Sequence, residues 1–169
     1  AEHVSISENP FLLQGNSSAP YDGDGIAGTQ RHVVERGILQ GYFLDLYSAR
    51  FLKMAPTGNG GQTYNMQISS SLTQPSDTQD EMLRKLGTGL LITHMAGSSD
   101  LTTGTFSRAV RGAWVQDGRI VHPVAGVTIA SNLRDMFAGI VALGADAVER
   151  GPFRTGSWLL ENMSVGGSA

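Results

Sequence analysis

The sequence predicts an α+β fold: a mainly antiparallel sheet joined by hairpins, with two or three helices packed on it. Three observations predict it. An Asp117-Gly118 pair stands between two apolar runs, which is the strongest short-range signal for a hairpin. Segments of alternating polarity recur between clusters of Gly, Pro, Asn and Asp. Only a few stretches carry both a helical period and a capping residue. Strands that follow one another through short turns build an antiparallel sheet rather than a doubly wound one.

Taken along the chain, His3-Val4-Ser5-Ile6-Ser7 alternates as a half-buried strand does and ends at Glu8-Asn9-Pro10. The stretch from there to Thr29 is rich in Gly, Ser, Asp and Pro and is expected to be a long loop, a feature that usually serves function or an interface. Arg31 to Glu35 and Ile38 to Leu44 flank Arg36-Gly37, so two strands are expected around a tight turn. Leu46 to Leu52 carries a weak helical period that stops before Pro56, and Tyr64 to Ile68 alternates as a strand. The clearest helix is 78–86. Ser76 or Asp77 caps it, its acids lie early and its bases late, and Gly87 ends it in the left-handed conformation. A short buried strand, Leu90 to Thr93, follows. Phe106 to Val115 and Arg119 to Ile129 form the Asp-Gly hairpin. Ser131 or Asn132 then caps a second helix over 133–143, and a last strand, Ser157 to Leu160, leads into a glycine-rich tail.

Composition narrows the function. A chain of 169 residues, 40% hydrophobic and 16% charged, is expected to form one domain, burying roughly 70% of its unfolded surface. The net charge of -3 and the absence of a Lys/Arg run disfavour direct nucleic-acid binding. Cysteine is absent, which removes disulfides and thiolate ligands and fits a reducing, cytoplasmic compartment. No apolar run approaches the roughly 18 residues of a membrane span. The chain begins without Met, directly in an alternating segment, so residues upstream are expected to be missing.

Local patterns for catalysis are weak. His3, His32, His94 and His122 are scattered with no short ligand spacing, and no Gly-x-Ser-x-Gly elbow exists. His94 ends a buried strand, where a base or a hydrogen-bonded structural histidine would sit; His32 and His122 are expected at the surface. Asp22-Gly23-Asp24-Gly25 resembles part of a calcium loop but lacks the closing Glu, so a turn is the expectation. Gly58-Asn59-Gly60-Gly61 precedes a strand and has no P-loop lysine, which points to turn formation or close backbone approach. Tyr47, Arg50, Asn59 and Asn65 flank this break, so they either converge on one groove or decorate a solvated loop. Trp114 and Trp158 are expected as core or interface aromatics.

A family resemblance gathers these segments. Asn16-Ser17-Ser18-Ala19-Pro20-Tyr21-Asp22, Thr29-Gln30-Arg31, Gly37-Ile38-Leu39, Tyr47-Ser48-Ala49-Arg50 and Thr57-Gly58-Asn59 occur in that order. Gly104-x-Phe106-Ser107-Arg108, Trp114-Val115-x-Asp117-Gly118, Pro123-Val124 and Ile129 to Met136 follow. Together they resemble the C-terminal region of the TldD/PmbA family, in particular its PmbA (TldE) branch. The resemblance implies a cytoplasmic protein about two and a half times longer than this chain. It implies pairing with a TldD-type subunit or with itself, and an unfolded peptide as substrate. The family's zinc motif, His-Glu-x-x-x-His, belongs to the TldD branch and would lie upstream. Its remaining ligand, a cysteine, would fall near Arg154-Thr155-Gly156-Ser157, where this chain has Thr155. A threonine does not replace a thiolate on zinc. The resemblance therefore implies no cofactor in this chain, with zinc on the TldD-type partner, and an older label of the family, modulator of DNA gyrase, offers a regulatory alternative. A homodimeric peptidase with upstream ligands is a third. Candidate contacts to peptide or partner are Arg50, Asn59, Asn65, Ser107 and Arg108, each with a structural role as its alternative.

Overall fold

The computed structural model describes residues 1–167. In chain order the elements are β1 (Val4–Asn9), β2 (Arg31–Glu35), β3 (Ile38–Leu39), α1 (Leu46–Leu52), β4 (Asn65–Ser70), α2 (Gln79–Leu86), β5 (Gly89–Ala96) and β6 (Thr105–Gln116). Then come β7 (Arg119–Asn132), α3 (Leu133–Ala138), β8 (Ile140–Leu143), β9 (Val148–Arg150), β10 (Phe153–Thr155), β11 (Trp158–Leu160) and β12 (Ser164–Gly166). The fold is α+β with mostly antiparallel sheets. The chain packs as two compact units, one of Glu2–Leu72 with Ala147–Gly156, the other of Ala1, Thr73–Asp146 and the residues from Ser157 onward.

The first, loop-rich unit holds a sheet of order β3-β2-β1-β4-β10-β9. Strand β1 alternates as expected: Val4, Ile6 and Glu8 occupy one phase, Ser5, Ser7 and Asn9 the other. Its pairing with β4 places Ser5, Ser7 and Asn9 opposite Ser69, Gln67 and Asn65, so one sheet face is polar throughout this region. Arg36 (φ 49°) and Gly37 (φ 76°) form the two-residue β2–β3 turn, both with the positive φ that such hairpins need. The strand expected over 38–44 lasts only through Leu39. Beyond Gln40 the chain leaves the ladder, and the Arg31 guanidinium donates to Tyr42 O at 2.9 Å in its place. Helix α1 forms where its weak period placed it because Asp45 caps it, Oδ1 accepting from Ser48 N–H. Hairpin β9–β10 escaped the sequence reading: it is short and charged, and it completes the sheet through a parallel pairing, Phe153 with Met66 and Arg154 with Gln67.

The second, hairpin-built unit holds the sheet β12-β7-β6-β5 and a two-stranded ladder, β11-β8. Asp117 (φ 52°) and Gly118 (φ 72°) make the expected turn between β6 and β7. Phe106, Val110 and Ile129 form the buried cluster, with Leu90, Ile92, Val127, Leu133, Met136 and Met163 packed around it. Helix α2 forms as expected, but Thr78 rather than Ser76 or Asp77 is the cap, and Asp77 instead pairs with Lys85 at 2.7 Å. Gly87 has positive φ (66°) with ψ -89°, so it ends the helix outside the left-handed helical region. The second helix expected over 133–143 stops at Ala138. Asn132 caps it, Gly139 interrupts it, and Ile140–Leu143 pairs with Trp158–Leu160, a tertiary ladder that β-branched Ile140 and Val141 favour. The tail is structured too, since Ser164–Gly166 pairs with Ala130, Ile129 and Thr128. Among the described residues no helix is long and apolar enough to cross a membrane.

Candidate functional site

In the hairpin-built unit, β5 is an outer strand. It pairs with β6 from Gly89 opposite Val115 to Ala96 opposite Ala109, with an irregularity between Ile92 and His94. Gly112 makes this approach feasible, because any side chain there would run into the Leu91 carbonyl. The other edge of β5 has no strand beside it among the described residues, so its backbone groups stand ready to pair with an added chain. Across one face of the same sheet lies an apolar groove of about 630 Å³ whose lining includes Leu86, Leu90, Ile92, Trp158, Leu160 and Met163. An open edge offers hydrogen bonds to any extended main chain, and an apolar groove on the same sheet takes apolar side chains with little preference among them.

Two of the sequence-predicted residues belong to this sheet. Arg108 Nη1 donates to Gly97 O at 2.6 Å and Nε to Ser99 Oγ at 3.2 Å, while the guanidinium lies 5.8 Å from the Phe106 ring centre. Arg108 thus ties the segment following β5 back to β6. Ser107 is exposed on β6 beside it.

The other candidates lie in the loop-rich unit and enter separate clusters. Asn59 is buried; its Nδ2 donates to Glu8 Oε2 at 3.1 Å, and its Oδ1 accepts from Arg31 Nη2 at 3.0 Å and Thr57 Oγ1 at 2.8 Å. Arg31 Nε completes the cluster by donating to Glu8 Oε1 at 2.6 Å, and its guanidinium lies 5.3 Å from the Phe43 ring. Asn65 pins the long loop, its Nδ2 donating to Asn9 O at 2.9 Å and Ser18 Oγ at 2.8 Å, its Oδ1 accepting from Ser17 N–H at 2.9 Å. Arg50 is exposed on α1, as is Tyr47. The structure therefore does not gather Asn59 and Asn65 into one groove with Arg50.

Asp22 behaves as the turn reading expects. Its Oδ1 accepts from Asp24 and Ile26 N–H, both at 2.9 Å, and its Oδ2 from Gly60 N–H at 2.7 Å. Burial pushes the Asp22 carboxyl up, but the N–H groups of Gly60, Ile26 and Asp24 together hold it below the ordinary carboxylate value. Gly58 (φ 74°) passes so close to the Ala27 carbonyl that a side chain would collide with it, the close approach expected of this glycine-rich break.

Sequence reasoning missed Glu8, although a signal exists: a carboxylate in the apolar phase of Val4 and Ile6 has to find a buried partner. It also missed the groove, which draws on six elements, α2, β5, β7, β8, β11 and β12. Among the described residues no group of three or more His, Cys, Asp or Glu side chains is placed to hold a metal ion. His94 is exposed on β5 rather than closing a buried strand, and His32 and His122 are exposed as expected. His3 Nδ1 lies 2.8 Å from Ser70 Oγ. Trp114 and Trp158 are half-buried. Thr155 sits at the end of β10, its hydroxyl donating to Gly156 O at 3.2 Å beside the Arg154 cation, a donor set that does not fit zinc.

Comparison with known proteins places the chain. Residues 1–167 match the family model described as the PmbA/TldA metallopeptidase C-terminal domain. The metalloprotease PmbA homolog of Haemophilus influenzae is 40% identical over 97% of this chain and 36% of its own length. The zinc metalloprotease TldD homolog of Saccharolobus solfataricus is 26% identical over 86% of the chain and 34% of its own length. A crystal structure from Thermotoga maritima, described as a modulator of a DNA gyrase, superposes with a TM-score of 0.85 at 30% identity, covering 98% of this chain and 39% of that one. The chain spans about a third of the length of the curated relatives it matches. A match across residues 1–167, together with relatives of this identity, means that the chain belongs to the PmbA/TldD metallopeptidase family, in its C-terminal domain.

Proposed function

We propose that the whole protein is the non-catalytic partner subunit of a TldD/TldE-type zinc metallopeptidase of the cytoplasm that degrades or matures unstructured peptides. The observation that carries this reading is Thr155: a threonine, hydrogen-bonded to its neighbour's carbonyl, stands where the resemblance expects the thiolate of the zinc-bearing branch. The higher identity to a PmbA homolog, 40% against 26% for a TldD homolog, supports the same branch. In this reading zinc resides on the TldD-type partner, and the open edge of β5 holds an extended peptide through its main chain. The test is zinc content and peptidase activity of the full-length protein, alone and mixed with a TldD-type subunit. Activity in the mixture only is the expected outcome; stoichiometric zinc and casein cleavage by the lone protein would make it a homodimeric peptidase instead.

A second reading, a regulatory protein that modulates DNA gyrase, is favoured by the description of the Thermotoga maritima neighbour and by the apolar stretch Ile38 to Met54, where Ile38, Tyr47 and Phe51 are 65%, 79% and 77% exposed. It acts through protein contact, since a net charge of -3 disfavours binding DNA directly. A change in gyrase supercoiling activity on adding the full-length protein, without its TldD-type partner, would favour it over the first.

A further inference from the structure

Large apolar side chains crowd one part of the loop-rich unit's surface. Between Ile38 and Met54 nine of them stand exposed, led by Ile38 at 65%, Tyr47 at 79% and Phe51 at 77%. We infer that this face is where a second copy of the chain docks, the two copies meeting through β3 and α1 about a two-fold axis. The pairing needs neither zinc nor a TldD-type subunit, so it stands apart from the partner-subunit reading.

The nine residues form one face because their backbone is pinned along one side of the sheet. Leu39 pairs with Val34 and Ile38 with Glu35, Gln40 N–H donates to Val33 O, and Arg31 Nη2 donates to Tyr42 O. Residues 38–42 therefore follow β2 from end to end. The Phe43 ring lies 5.3 Å from the Arg31 guanidinium, and Leu44 N–H donates to Thr57 Oγ1 at 2.8 Å, which carries the run on to α1. Helix α1 turns Ala49 inward and is apolar on its outer side too, where Tyr47 and Phe51 stand one turn apart. A helix apolar all round is ordinarily buried all round. Strand β3 is likewise the last of its sheet, with no strand on its outer side among the described residues.

Area and charge select the occupant. At roughly 150–250 Å² for a large side chain, these exposures amount to on the order of 1,000 Å² of apolar surface. The largest apolar patch of a monomer is about 300–600 Å², and a standard interface takes about 800 Å² from each partner. The face is thus too large to stand open and has the size of one half of a dimer interface. Its rim carries both signs: Glu35 and Arg36 flank β3, and Asp45, Arg50 and Lys53 flank α1. An anionic lipid surface would call for a uniformly basic rim. A two-fold axis instead sets the face against itself, so the acids of one copy can meet the bases of the other. Ile38 and Leu39 carry none of the charges or prolines that keep an edge strand from pairing with its like.

The test is sedimentation equilibrium of this chain and of the full-length protein, each without a TldD-type subunit. Both are expected to dimerise, the chain to twice its 17.9 kDa. Phe51→Glu and Tyr47→Glu are each expected to raise the dimer dissociation constant about thirtyfold, the effect of an aromatic lost from an interface centre. Leu101→Glu, at a residue 84% exposed in the other unit, is expected to change nothing. Amide exchange in the wild type should show protection of 38–54 that grows with concentration, a readout that needs no variant to fold. A wild type that stays monomeric at high concentration, aromatic variants that dimerise as tightly, or equal disruption by Leu101→Glu would overturn the inference. So would dimerisation of the chain but not of the full-length protein, which would give the face to the protein's own remaining domain. Binding of gyrase or of anionic vesicles by a monomeric wild type, lost in Phe51→Glu, would give it to that partner instead. Zinc found on the lone protein would remove the partner-subunit reading and leave this result standing.

Discussion

The two units of the chain hold themselves together by different means. The hairpin-built unit relies on neighbours in sequence: β6 and β7 are joined by a two-residue turn and close over Phe106, Val110 and Ile129. The loop-rich unit relies on carboxylates that reach across long separations. Glu8 holds Arg31 and Asn59, Asp22 holds Gly60, and Asp24 Oδ2 accepts from Leu46 N–H at the start of α1. The contrast teaches that a loop of some twenty residues can be anchored by two buried acids, Glu8 and Asp22, that satisfy backbone and side-chain donors far away in sequence.

Substitutions test this division. The largest effect is expected from Phe106→Ala, about 4 kcal/mol, because a buried aromatic leaves a cavity that the sheet cannot fill; a fall in the urea midpoint read by Trp114 and Trp158 fluorescence would register it, both residues lying in that unit. Next comes Glu8→Ala, at about 3 kcal/mol, since it strands the Arg31 cation, which keeps some access to water. Its signature is lost amide-exchange protection in β1, β2 and β4, and retained protection there would refute the acid-centred account. Gly58→Ala is expected to cost about 2 kcal/mol through its positive φ and the pressure on Ala27. Thr78→Ala should cost about 1 kcal/mol, measurable as a lower thermal midpoint, because the α2 cap is lost.

The smallest effect concerns acid. The folded Asp22 carboxyl lies below the ordinary value of about 3.9, so its contribution is present above that value and lost as pH falls through the lower folded one. The stability gap between the wild type and Asp22→Asn should therefore hold steady down to about pH 4 and narrow below it. A gap that widened on acidification would mean that the Asp22 carboxyl is raised in the folded state.

Much of the fold was legible because its signals are local. Asp117-Gly118, the alternation of β1 and the charge order of α2 each act within a few residues, and the structure honours them. What escaped depends on partners far away in sequence. Ile140–Leu143 looks helical until Trp158–Leu160 offers a ladder, and 148–155 carries no strand signal of its own until β4 pairs with it. The candidate site was less legible still. Asn59 and Asn65 stood out as polar residues beside glycines, yet their side chains are consumed by Glu8 and by the 9–18 loop.

The parallel pairing of β10 with β4 bears on how the chain is made. Residues 65–70 must wait for 153–155 before their sheet is complete, and the whole of 73–146 is synthesised in between. Emerging from a ribosome, the hairpin-built segment can close its local contacts early, whereas the loop-rich sheet keeps one side of β4 open until residues 153–155 appear. That exposed strand is the point at which nascent copies on neighbouring ribosomes would join wrongly, so slow translation through 73–146 should raise aggregation more than slow translation before β1.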